Sequence, residues 1–274
     1  MPQPIGIFDS GYGGLTVMKA ITALLPEYDF IYLGDNARAP YGNRSFETVY
    51  RYTLESVQWF FRQDCPLVIL ACNTASAKAL RTIQQKDLPG MDASKRVLGV
   101  IRPTTEVIGN YSSSGSVGIL ATSGTVNSGS YEIEAAKFFP ELKVFSQACP
   151  VLVPLIENDE YKNEGADFFI KKYTDALMKQ SPNIDTVLLA CTHYPLIYDK
   201  IFSFLPKWIT LLSQGDIVAA SLVQYLERHS DMKARLSKGG QRQFFTTDST
   251  VDFDRHAVAF YGSEVKSQQV DLGA

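Results

Sequence analysis

Two cysteines carry the strongest chemical signal in this chain, because each occupies the same place in a repeated phrase. Leu67-Val-Ile-Leu-Ala-Cys-Asn-Thr-Ala75 and Val187-Leu-Leu-Ala-Cys-Thr-His193 both read as an apolar run, an alanine, a cysteine and then hydrogen-bonding side chains. Short apolar runs of this kind read as buried strands, so Cys72 and Cys191 stand at strand carboxyl ends. In parallel α/β folds ligands bind beyond those ends. A thiol there faces the N-terminus of the following helix, which is expected to lower its pKa from about 8.5 and raise the thiolate fraction. Asn73, Thr74 and Thr192 add neutral donors, suited to a carboxylate or ammonium ligand better than to a metal. The repeat points to a site with two matched thiols facing each other. The competing reading is packing, since a cysteine closing an apolar strand is commonly a small core residue. Cys65 and Cys149 precede prolines, lack the polar trailer and are read as core.

Other strand ends carry polar groups too: Asp9-Ser10 after Ile5-Gly-Ile-Phe, and Thr122 after Val117-Gly-Ile-Leu-Ala. Asp9 is either an exposed strand-end acid or a group that positions or relays the proton of a nearby thiol. His193 lies two residues past Cys191 and is a candidate partner for it. Glu157 follows an apolar stretch and could orient that imidazole as a carboxylate does in a catalytic triad. Asp35 is read as a structural loop acid. Gly11-Tyr-Gly13-Gly14 after a strand imitates a dinucleotide fingerprint, but Thr16 stands where its third glycine belongs.

Composition narrows the function class. The 274 residues carry a net charge of −3 with 20% charged residues, so nucleic acid and anionic membrane are unsuited partners. No apolar run reaches the roughly 18 residues of a membrane helix, and Met-Pro-Gln-Pro leads into a strand without a signal-peptide pattern. A cytoplasmic location is expected. Four cysteines without a C-x-x-C pair, and His193, His229 and His256 without ligand spacing, give no expected metal site and free, reduced thiols.

The elements that must position these groups alternate strand and helix. Strands are expected at residues 5–9, 30–35, 67–72, 97–101, 117–121, 144–146, 187–191 and 208–212, with a strand-like piece near 244–247. Helices are expected at 15–25, 46–60 (Ser45 capping), 78–83, 165–180, 195–205 and 216–228, with a last one ending near Gly262, and residues 87–94 form a loop. Gly6-Ile-Phe-Asp-Ser matches Gly118-Ile-Leu-Ala-Thr at an offset of 112, near the cysteine offset of 119, which hints at a duplication. The expected architecture is α/β: two pseudo-symmetric parallel-sheet α/β domains, residues 1–98 plus 210–274 and residues 99–209, with the active site in the cleft between them.

Four motifs in register, Asp9-Ser-Gly-Tyr-Gly-Gly-Leu-Thr16, Leu33-Gly-Asp-Asn-Ala-Arg-Ala-Pro-Tyr-Gly42, Ala71-Cys-Asn-Thr-Ala-Ser-Ala77 and Cys191-Thr-His-Tyr-Pro-Leu196, resemble those of bacterial glutamate racemases. The related aspartate racemases usually have an acid where this chain has His193. The resemblance implies a cofactor-independent enzyme that interconverts L- and D-glutamate and supplies D-glutamate for peptidoglycan, working in the cytoplasm as a homodimer. It implies Cys72 and Cys191 as the two bases, with Cys191 facing L-glutamate. It places Asp9 near Cys72, and Glu157 with His193 near Cys191. Substrate contacts implied are Asp9, Ser10, Tyr41, Gly42, Asn73, Thr74, Thr122, Thr125, Thr192 and His193. Two departures stand out: Asn36 and Ala39 vary the second motif, and Ser213-Gln214 stands where the family usually has an acid and a small residue before Gly215.

Overall fold

The computed structural model describes residues 3–272. The first two and last two residues, at the ends of the expected first domain, lie outside that range. Ten strands form: β1 (Ile5–Asp9), β2 (Phe30–Gly34), β3 (Leu67–Leu70), β4 (Arg96–Gly99), β5 (Ser116–Ala121), β6 (Lys143–Ala148), β7 (Thr186–Ala190), β8 (Thr210–Ser213), β9 (Arg242–Thr246) and β10 (Ser267–Gln269). They make two sheets, ordered β10-β9-β2-β1-β3-β4 and β6-β5-β7-β8, with every pairing parallel. β1, β2, β3, β5 and β7 are buried throughout, as continuous apolar strands must be when helices cover both faces.

The internal echo is a repeated arrangement. β2-β1-β3-β4 and β6-β5-β7-β8 are the same order, and the registers agree: Ile5 lies beside Leu67, and Val117 beside Thr186. Those two pairs are related by the sequence offsets of 112 and 119. Gly6 and Gly118 are equivalent and have one cause. A side chain at either would strike the helix packed above it: an added Cβ would lie 2.6 Å from Phe60 Cδ1 or 2.7 Å from Leu177 Cδ2.

Several boundaries differ from expectation. The strand expected at residues 208–212 pairs with β7 and belongs to the second sheet, so by sheet membership that unit runs to Ser213 rather than 209. β4 ends at Gly99, one residue past the expected limit of 98. Residues 87–91, expected as loop, are helical, and helix begins at once after Cys72: Asn73–Lys78, Leu80–Thr82, a π-turn at Ile83–Asp87, then Leu88–Met91. Apolar spacing concealed this start because Asn73, Thr74 and Ser76 are buried polar residues. Two helices, Ser123–Asn127 and Ser130–Phe138, follow β5, and Leu152–Glu157 forms the helix carrying Glu157. Ser45 caps the Phe46–Arg62 helix, its Oγ accepting from the Thr48 N–H at 3.2 Å. The chain returns at its end to the first sheet through β9, the Thr250–Phe260 helix and β10. Among the described residues no helix is long and apolar enough to cross a membrane.

Gly118→Ala should destabilise the protein by about 1–3 kcal/mol, since a methyl must displace Leu177 in a filled core. Gly90→Ala, where nothing lies within 4 Å of the added carbon, should be neutral or stabilising by up to about 1 kcal/mol. Urea unfolding of both variants measures the difference; equal midpoints would refute the packing argument.

Candidate active site

The carboxyl ends of β1, β3, β5 and β7 converge on one cleft between the two sheets, with about 570 Å³ of empty space including its open mouth. Cys72 and Cys191 both line it and are buried, and Ser10, Tyr41, Gly42, Asn73, Thr74, Thr122, Glu157, Thr192 and His193 line it too, all buried except the partly exposed Ser10, Gly42 and Glu157. Asp9 and Thr125 stand behind the wall rather than in it, both buried. Among the described residues no lysine or arginine lines the cleft.

The first thiol begins a helix. Cys72 Sγ accepts the Ala75 N–H at 3.4 Å, and the Ser10 hydroxyl lies 3.4 Å away. The expectation that the helix start lowers its pKa is overturned. Burial pushes the Cys72 thiol up to about 12, the negative charge of Asp9 pushes the same way, and the Ser10 and Ala75 bonds pull back only in part. Cys72 therefore rests as a thiol. Asp9 accepts the Gly11 N–H at 2.9 Å and the Thr192 hydroxyl at 3.3 Å, so its bonded partners lie toward Thr192 and its influence on Cys72 is electrostatic. Burial raises its carboxyl pKa, against the pull of His193 and the Gly11 and Gly14 N–H groups.

The second thiol has a different helper. His193 Nδ1 lies 4.0 Å from Cys191 Sγ, and His193 Nε2 lies 2.9 Å from Glu157 Oε1. Burial opposes a charged imidazole, but the Cys191 and Glu157 interactions outweigh it and hold the His193 pKa well above 6.5. The Asp9-to-Gly14 loop presses against this group. A Cβ at Gly13 would run into Thr192 Oγ1 and the His193 ring, which is why glycine is needed there. Thr16 donates to the Gly13 carbonyl at 2.8 Å and the Thr192 carbonyl at 3.0 Å. The dinucleotide-like loop thus buttresses the second cysteine strand.

Neutral donors fill the remainder. Thr122 caps its helix through the Thr125 N–H at 3.3 Å, and its hydroxyl meets Thr74 Oγ1 across the cleft at 2.9 Å and Thr125 Oγ1 at 3.1 Å. The Gly124 N–H donates to the Gly42 carbonyl at 2.8 Å, a second tie between the units. Tyr41 lines the cleft, but its hydroxyl is committed to buried Asp35, which also accepts from Arg38 Nε at 2.7 Å. Asp35 is the structural loop acid expected.

Sequence reasoning missed four contributors. Cys149 lines the cleft, although its proline context marked it as core. His256 Nε2 lies 2.9 Å from the Glu157 carbonyl, and its ring stacks on Tyr12 at 4.2 Å. Phe260 meets the His193 ring edge-on at 5.2 Å. Gln214 reaches Asn73 from behind the wall. The links of His256, Phe260 and Gln214 span more than 60 residues of chain, and only Gln214 stood out in the sequence, as a departure from the family pattern. Among the described residues no group of three or more His, Cys, Asp or Glu side chains is placed to hold a metal ion.

Comparison with known proteins agrees with this geometry. Residues 5–222 match the model of the Asp/Glu/Hydantoin racemase family. A glutamate racemase of a Sulfurihydrogenibium species is 37% identical over 98% of both chains. The crystal structure of a glutamate racemase isoform from Bacillus anthracis superposes with a TM-score of 0.89 at 34% identity, covering 98% of each chain. That of a glutamate racemase from Francisella tularensis in complex with D-glutamate does so with a TM-score of 0.87 at 30% identity, again over 98% of each. The chain belongs to the Asp/Glu/Hydantoin racemase family, whose glutamate racemases it matches along nearly its whole length.

Proposed function

We propose that this chain is a cofactor-independent glutamate racemase in which Cys72 and Cys191 act as paired acid and base on opposite faces of the substrate α-carbon. The observation that carries the reading is the placement of two buried thiols, from equivalent strands of a duplicated fold, in the walls of one cleft. A single base would return the proton to the face it left, so inversion needs a donor on the far side.

The proton count balances over a half-cycle. The thiolate of one cysteine takes the α-proton and becomes a thiol, while the opposite thiol gives its proton to the other face and becomes a thiolate. A turnover in reverse restores the starting state. Because Cys72 rests protonated, it suits the donor role in the half-cycle in which Cys191 is the base, the one that the family resemblance assigns to L-glutamate. Glu157 holds the His193 imidazole beside the Cys191 sulfur. With no lysine or arginine in the wall, the substrate carboxylates would be met by Ser10, Asn73, Thr74, Thr122, Thr192 and backbone N–H groups. Fixed neutral donors in a dry site stabilise developing charge without reorganising. The substrate's own ammonium would supply positive charge that brings a buried thiol toward ionisation. Asp9 would set the charge balance beside Cys72, with Thr125 supporting the Thr122 and Thr74 hydroxyls. We further infer a homodimer in the cytoplasm that supplies D-glutamate for peptidoglycan; light scattering of the purified protein reads the assembly.

Cys72→Ser and Cys191→Ser, each assayed from both enantiomers of glutamate, should each lose at least about 10²-fold in racemisation. Full activity in either variant would end the two-thiol assignment. Exchange of the α-proton of aspartate but not glutamate in deuterated water would move the substrate to the other amino acid of the family's name.

Glu157→Gln tests the imidazole's helper. A histidine whose folded pKa is raised contributes stability fully present below about 6.5, the unfolded value, and lost as pH rises through the folded pKa. The stability gap between wild type and Glu157→Gln should therefore be largest near pH 6 and narrow in alkali, as urea titrations at several pH values would record. A gap that widens with pH contradicts the ion pair.

Asp9 works with the opposite sign. Its folded pKa is raised, so its ionised form costs stability above the unfolded carboxylate range, and the cost is complete above the folded pKa. Asp9→Asn at pH 8 should melt at or above the wild-type temperature while racemising at least about tenfold more slowly. A clear drop in melting temperature would mean that the Gly11 and Thr192 bonds outweigh the cost of burial.

A further inference from the structure

Behind the Cys72 side of the cleft, three side chains from separate elements close a ring of hydrogen bonds. Asn73 Nδ2 donates to Gln214 Oε1 at 2.7 Å, Gln214 Nε2 donates to the Tyr131 hydroxyl at 2.7 Å, and that hydroxyl donates to Asn73 Oδ1 at 2.6 Å. Gln214 Nε2 also reaches Thr104 Oγ1 at 3.0 Å and the Val100 carbonyl at 3.3 Å. All of these side chains are buried, Gln214 being 4% exposed and Asn73 and Tyr131 2% each. Asn73 opens the helix that Cys72 caps, at the end of a first-sheet strand. Tyr131 belongs to the second unit, and Gln214 follows directly on β8, the last strand of that unit. The ring therefore joins the two units immediately beside a reacting thiol.

Its direction is fixed by chemistry. Turning the Asn73 amide alone would set Oδ1 against Gln214 Oε1, and turning both amides together would set Gln214 Oε1 against the Val100 carbonyl, in each case two acceptors with no proton between them. Each donor in the ring is matched, and a buried network in which every member is satisfied holds a single geometry. With Oδ1 and one Nδ2–H engaged, the ring leaves one Nδ2–H of Asn73 unused, and this residue lines the cleft. Gln214 does not line the cleft itself. A small side chain at that position, such as the resembled family usually carries, would not span to Asn73.

We propose that Gln214 is a positioning residue: from outside the cleft it locks the Asn73 amide, and with it the first helical turn whose Ala75 N–H binds Cys72 Sγ, to the second unit. The proposal rests on the racemase reading, because only there does the pose of Cys72 set a rate. Small displacements of a reacting group are costly, about 10²-fold for 1 Å.

The test is steady-state kinetics on both enantiomers of glutamate with wild type, Gln214→Leu, Tyr131→Phe and the double variant. Leu226→Ala, a buried site on the Gly215–Arg228 helix, serves as a stability control. We expect kcat to fall at least about tenfold in each single variant with KM changed less than about threefold. The double variant should be little worse than the worse single, as members of one network are not additive. The control should keep its kcat despite a comparable loss in melting temperature. If Gln214→Leu does not fold, Tyr131→Phe, which keeps the ring's shape and removes two of its bonds, gives the same answer. A wild-type kcat in the folded variants, a loss matched by the control, or a rise in KM with kcat intact would overturn the proposal. Wild type is assayed first: its failure to racemise glutamate would sink the racemase reading, whereas an active wild type with indifferent variants would sink only the role of Gln214.

Discussion

The cost of burying ionisable groups governs this molecule. Two thiols, two carboxylates and an imidazole meet where two parallel sheets oppose their carboxyl ends, and Asp9 there is wholly buried. In such a place an unpartnered charge is expensive, so each group needs a specific partner or must stay neutral. Both solutions are in use. Cys72 stays a thiol, its pKa raised by burial and by Asp9, whereas His193 gains charge because Glu157 and Cys191 compensate it. The cleft owes its chemistry to that tension, since groups held near the limit of ionisation are the ones a substrate's own charges can tip.

Duplication explains why there are two thiols, and divergence explains why they differ. The order β2-β1-β3-β4 repeated as β6-β5-β7-β8, in the same register, delivers Cys72 and Cys191 to equivalent strand ends. The residue following each cysteine then breaks the equivalence. After Cys72 the chain turns straight into a helix whose N–H binds the sulfur, and after Cys191 it makes room for His193. A racemase must work from two mirror-related faces of one substrate, yet the rest of the amino acid has no mirror symmetry. Under the proposed mechanism, two like thiols in unlike surroundings answer that requirement.

Much of this was legible in the sequence because strand ends are punctuated by composition. Apolar runs that stop at Asp9, Cys72, Thr122 and Cys191 announced both the sheets and the cleft. The Gly6 and Gly118 match announced the repeat, whose physical reason is close packing of Phe60 and Leu177 on equivalent strands. What stayed hidden depended on polar burial or on distance along the chain. The helix after Cys72 has no apolar stripe, because its first residues face the other unit. β10 reads Ser-Gln-Gln and pairs only at the sheet edge, where short polar strands are tolerated. The helpful effect expected of a helix N-terminus on Cys72 was real as a hydrogen bond, but burial and Asp9 outweighed it, and only the folded geometry reveals that balance.

The chain's return to the first sheet bears on how the cleft is held. Phe260 packs against the His193 ring and His256 sits at the Glu157 carbonyl, so a helix of the first unit braces the helper of the second thiol. On the other side, Tyr131 of the second unit, with Gln214 just past that unit's last strand, grips Asn73 beside the first thiol. Each unit thus supports the other's cysteine. Polar ties such as these carry little net free energy apiece, about 1 kcal/mol, but strong directional preference.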